Sequence, residues 1–149
     1  MGFAFHFVEV IIVLAIVSAL SAIALTRLNF SVVSNSGAET TANKIVTDLR
    51  RVRRMAISDA AENPNGFELR FNGSVAKYDS YDIIDLDTSS VIDTHEINDL
   101  MSCSGASSFI FGPLGNLISP DTQLTISTEN TTIMLTIVPA TGMVKCSHN

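Results

Sequence analysis

The sequence predicts an α+β protein in which a long N-terminal α-helix packs on a C-terminal antiparallel β-sheet head. Three observations carry this expectation. Apolar residues run almost unbroken from Phe3 to Leu25. Ile45, Leu49, Val52 and Ala56 then recur at helical intervals. From Phe67 onward the apolar period drops to two, the spacing of a half-buried strand.

The N-terminal run comes first. Phe3 to Leu25 is 23 residues, interrupted by His6 and Glu9 alone. As a helix it spans about 35 Å at ~1.5 Å per residue, enough for a bilayer core of about 30 Å. Arg27 follows it, a charge that marks the end of insertion. A cleaved secretory signal is an alternative reading of the same run, since Ala22-Ile23-Ala24 resembles a cleavage site. Nothing basic precedes the run, whereas that class opens on a basic segment. Glu9 is its informative residue, because a carboxylate inside an apolar membrane helix costs about 2.5–3.5 kcal/mol on insertion scales. Solvation by nearby headgroups is the plain alternative to a functional role.

The segment Phe5-His6-Phe7-Val8-Glu9-Val10-Ile11-Ile12-Val13-Leu14-Ala15-Ile16 resembles the N-terminus of type IV pilins and type II secretion pseudopilins. There a Phe opens the mature chain, a Glu follows four residues later, and a long apolar helix continues. Ala15, Ser18 and Ser21-Ala22-Ile23-Ala24 fall where the family places small residues. Ala4 stands where the family has Gly before the cleaved bond, and Thr26 where many members have Pro. The resemblance implies processing and N-methylation at Ala4 and Phe5, with Glu9 becoming the fifth residue. It implies subunit assembly through Glu9, whose carboxylate would pair with the Phe5 amine of a neighbour and neutralise two charges in an apolar filament core. The implied partners are copies of the chain in a helical filament, a prepilin peptidase and inner-membrane assembly machinery, with the membrane holding the chain before assembly. The implied location is the bacterial inner membrane and then a cell-surface filament, or the periplasm for a pseudopilin.

Residues 29–37 break the helical pattern with β-branched, Ser, Asn and Gly residues, so this stretch is expected to be flexible or unwound. Ser36 and Glu39 have capping-box spacing and predict that the helix resumes there. The amphipathic helix is placed at 38–62, ending at Asn63-Pro64-Asn65-Gly66. Three parts follow: a hydrophobic polymerisation helix at 1–28, the flexible piece at 29–37, and a globular head at 38–149 with its sheet over 66–146. Arg50, Arg51, Arg53 and Arg54 are expected on the solvated flanks of the amphipathic helix, available to acidic residues of a neighbouring subunit. The wording of this helix loosely resembles minor pseudopilins of the GspH/FimT type.

Phe67, Leu69 and Phe71 alternate with Glu68, Arg70 and Asn72, and Asn72-Gly73 signals a hairpin returning through Val75 to Tyr81. Further strands are predicted at 108–111, 123–128, 132–138 and 142–146. The turns Phe111-Gly112-Pro113-Leu114-Gly115 and Pro139-Ala140-Thr141-Gly142-Met143-Val144 resemble turns of that pseudopilin group. Residues 79–99 hold seven of the fifteen acids and read as a solvated acidic loop. Asp82, Asp85 and Asp87 are its weak candidates for calcium, although their spacing is not that of an EF-hand.

Composition narrows the function. At 149 residues the chain fits one head plus one appended segment. A net charge of −6 argues against sequence-independent nucleic-acid binding, which needs a cationic footprint. Cys103 and Cys146 lie 43 positions apart, and in an exported protein the expectation is one disulfide, contributing about 3–4 kcal/mol. His6, His95 and His148 are scattered, no nucleophile or phosphate-loop motif surrounds them, and no cofactor is expected. The chain is therefore read as a filament subunit and not an enzyme. A minor pseudopilin of a type II secretion system is one alternative, and a monomeric membrane-anchored binding domain another.

Overall fold

The computed structural model describes the backbone of residues 3–26 and 30–148, and the side chains of 8–21 and 37–148. The chain divides into two compact units, Met1–Val33 and Ser34–Asn149. The first contains helix α1, Phe3–Thr26. Among the described residues no helix is long and apolar enough to cross a membrane. The described side chains of α1 cover 8–21, a length of about 21 Å.

Helix α2 runs over Phe30–Ser58. It begins upstream of Ser36, so residues 30–37 are helical rather than unwound as expected. The physical reason is that extending a formed helix adds one hydrogen bond per residue fixed, whereas nucleation is the costly step. Ser, Asn and β-branched residues weaken such an extension by tenths of a kcal/mol each, roughly, too little to end it. The α2 stripe facing the sheets is Ala38, Ala42, Ile45, Val46, Leu49, Val52 and Ala56, all buried. After Ser58 the chain turns, and Asn63 takes over: its Nδ2 donates to Asp85 at 2.8 Å and its Oδ1 accepts from the Gly66 amide at 2.8 Å.

Eight strands follow: β1 Phe67–Ser74, β2 Lys77–Asp85, β3 Ser90–Glu96, β4 Ser102–Gly105, β5 Ser108–Phe111, β6 Gln123–Ser127, β7 Thr132–Val138 and β8 Met143–His148. They form two four-stranded antiparallel sheets, ordered β3-β2-β1-β5 and β4-β6-β7-β8. The chain changes sheet three times, after β3, after β4 and after β5; the shortest crossing is at Ala106 and Ser107, preceded by Gly105 at φ +119°. The core joins the α2 stripe to Leu69, Tyr81, Ile83 and Phe109 of one sheet and to Leu124, Ile126, Leu135 and Ile137 of the other.

The acidic stretch 79–99 is not a loop. Most of it is the β2–β3 hairpin, in register from Ser80 opposite Glu96 to Asp85 opposite Ser90. β3 is an edge strand with largely exposed side chains, so it lacks the apolar alternation that marks a strand covered on one face.

The expected disulfide is also corrected. Cys103 and Cys146 are both free thiols. They lie on β4 and β8, the opposite edges of the second sheet. Three strand spacings separate those edges, about 14 Å at ~4.8 Å each. A disulfide needs its Cα atoms within about 7 Å.

Candidate assembly interface

Every described side chain from Val8 to Ser21 is exposed. Leu14 is 63% exposed, Leu20 61% and Val10 56%, and the apolar residues lie all round the helix rather than along one stripe. An exposed apolar surface of this extent is stable in water only when lipid or protein covers it. Ser18 and Ser21 return their hydroxyl protons to the carbonyls of Ala15 and Val17, at 2.9 and 2.8 Å, and so add no polar face. Glu9 is the one carboxylate in this exposed stretch. Ala4 and Phe5 fall within α1, but their side chains lie outside the described residues; Arg27 lies outside them altogether.

Two flanks of α2 carry charged groups. On one, α2 meets the edge strand β3. Arg51 donates to Asp93 at 2.9 Å, and His95 Nε2 stands 3.4 Å from Asp93 and 3.5 Å from Asp48. The Tyr81 hydroxyl donates to Asp48 at 2.6 Å. Its burial, with the Asp48 carboxylate beside it, pushes the phenol well above its ordinary range. The Arg51 hydrogen bond holds the Asp93 carboxyl below the usual carboxylate range, against a partial desolvation that raises it, with His95 adding a further lowering. The sequence reading missed this network. Its one signal was Asp48 beside Leu49, a carboxylate next to the apolar stripe, which demanded a buried donor.

On the other flank, α2 meets the turn that follows β5 and the turn that precedes β8. Arg53 Nε donates to the Gly115 carbonyl at 3.1 Å. Gly142, at φ +62°, packs so closely that a Cβ there would meet the Gly115 oxygen at 2.2 Å and Arg53 Cδ at 2.9 Å. The two glycine turns singled out in the sequence thus meet over one arginine, and the Leu117 amide donates to the Pro139 carbonyl at 2.9 Å beside them.

Asp82, Asp85 and Asp87 do not converge on a calcium site. Asp82 accepts from Asn72 at 2.8 Å and from Thr94 at 2.7 Å across the strands. Asp85 accepts from the amides of Asp87 and Thr88 and from Asn63, which closes the β2–β3 turn. Partial desolvation raises the Asp85 carboxyl, but those hydrogen bonds outweigh it and hold it below its ordinary value. Asp87 is bonded to Asn65. Among the described residues no group of three or more His, Cys, Asp or Glu is placed to hold a metal ion.

The chain has a type IV pilin-like fold. Two crystal forms of the type IV minor pilin FimU of Pseudomonas aeruginosa PAO1 superpose on the chain with TM-scores of 0.58 and 0.59. Sequence identity is 15% and 16%, over 76% of this chain and 91% and 87% of the FimU chains. No protein-family model and no curated protein sequence matches the chain.

Proposed function

We propose that the chain is a structural subunit of a type IV pilus-like filament, held in the bacterial inner membrane before assembly and at the cell surface after it. The observation that carries this reading is the exposed apolar helix joined to a head of pilin-like fold. Packed against copies of itself, that helix removes its exposed apolar surface from water or lipid. In this reading Glu9 pairs with the amine of Phe5 on a neighbour once a prepilin peptidase has cut after Ala4. Pairing fixes the axial register, because a slipped subunit would leave two charges in an apolar core. The parts are the helix at 1–28, a joint at 29–37 that opens as subunits pack, and the head at 38–149.

A second reading, a minor pseudopilin of a type II secretion system, shares the helix and the head. It is favoured by the paired turns at 111–115 and 139–144, which resemble turns of the pseudopilin group. Imaging of sheared surface material separates the two: abundant fibres of this subunit support the first, and their absence with a secretion defect on deletion supports the second. For either, Glu9→Ala in the full chain should lower assembled subunit about tenfold or more, the effect of losing one buried charge pair. Wild-type assembly by Glu9→Ala would remove the charge-pairing proposal.

A further inference from the structure

The flank of α2 beside β8 is an open groove. Its larger cavity, about 470 Å3, is lined by Thr47, Arg50, Arg53, Arg54, Met143 and Val144. A smaller cavity of about 220 Å3 lies between α2 residues Glu39, Ala42 and Asn43 and the β8 residues Cys146 and His148. Val144 is buried, yet Cys146, two residues on along the strand and on the same face, is exposed. The strand therefore leaves α2 uncovered along this side. Arg53 is committed to Gly115, but Arg50 and Arg54 are exposed and have no ion-pair partner among the described residues.

The β2–β3 flank has the opposite character. Residues 79–99 carry seven acids and no Lys or Arg. Asp79, Glu96 and Asp99, all exposed, line a cavity of about 640 Å3 together with Ser80, Ile97 and Asn98. Lys77 donates to the backbone carbonyl of Asp99 at 3.3 Å, and no ion pair is formed by Asp79, Glu96 or Asp99 among the described residues.

We propose that the arginine-lined groove of one copy receives the acidic β2–β3 flank of a second copy, with Arg50 and Arg54 reaching Asp79, Glu96 and Asp99. This rests on the filament reading and names the contact between heads. The fit is one of charge: an uncompensated pair of cations on one flank and an uncompensated set of carboxylates on another, in a chain whose net charge of −6 otherwise drives copies apart. Arginine suits the task, because its planar fork binds carboxylates through two parallel hydrogen bonds. The two patches are different surfaces, at the edges of different sheets, so the contact is heterologous. Such a contact does not exhaust itself in a closed dimer and leaves a free patch at each end for a further copy until a ring closes. Two free arginines on a chain of this charge make a poor footprint for nucleic acid, which is bound by neutralising many phosphates.

The test uses the full chain in a cell that assembles it. Arg50→Glu with Arg54→Glu should lower assembled subunit about tenfold or more, since like charges then face each other across the contact. Adding Asp79→Arg, Glu96→Arg and Asp99→Arg to the same chain should restore assembly, which a variant that merely misfolds cannot do. Wild-type assembly by the double glutamate variant overturns the groove contact and leaves the filament reading standing, whereas failure of the parent chain itself to assemble overturns that reading. Loss without restoration by the swap also overturns it. So does normal assembly by the double variant accompanied by loss of binding to a short duplex DNA.

Discussion

Cys103 and Cys146 show how much a residue's chemistry depends on its position in the sheet. Cys103 points into the core with no exposed surface, and burial pushes its thiol up to about 12. Cys146 is exposed on the outer strand. Because the thiolate is the reactive form, the two should label very differently. Under native conditions one thiol, Cys146, should react promptly with a thiol reagent, and Cys103 should react only on unfolding. A Cys146→Ser variant that labels as fast as the parent would contradict this assignment. The sequence offered no way to foresee it, since spacing along a chain does not reveal that two strands are the outer edges of one sheet. Glu9 was legible for the opposite reason: a lone carboxylate in an apolar run is conspicuous before any fold is known.

At the scale of elements, the edge strands β5 and β8 were expected at 108–111 and 142–146 along with the inner strands, whereas the edge strands β3 and β4 could not be read. β1 and β7 carry alternating apolar residues because one face of each lies on the core, as Leu69 and Phe71, or Ile133, Leu135 and Ile137, all show. β3 and β4 sit at sheet edges, and their sequences, Ser90 to Glu96 and Ser102 to Gly105, hold too few buried residues to impose a period. The α2 stripe was legible at Ile45, Leu49, Val52 and Ala56, but the start of the helix was not, because weak helix formers only slow propagation. The two glycine turns were noticed without their purpose. Gly142→Ala should destabilise the head by about 2 kcal/mol or more, adding left-handed strain to a clash with the Gly115 carbonyl and Arg53. Denaturant titration at constant slope is the measurement. An unchanged midpoint would mean that the turns do not hold Arg53.

At the scale of the molecule, the head holds its own core. Each buried apolar residue of the described chain lies between Ala38 and Val144, inside the unit Ser34–Asn149. A fragment of residues 34–149 should therefore fold cooperatively and stay monomeric in dilute solution. Circular dichroism and sedimentation decide this; a fragment with non-cooperative melting would show that the head depends on the first unit. The two sheets of that head share one keel. Seven side chains of α2, from Ala38 to Ala56, press on both of them, while the polypeptide itself passes between the sheets three times, after β3, β4 and β5. A pull entering through α2 is thus met by side-chain packing against both sheets at once, ahead of any strand's hydrogen-bond ladder. Under tension such a head should yield in one abrupt step, as a bolt shears, and not strand by strand, as a zip opens.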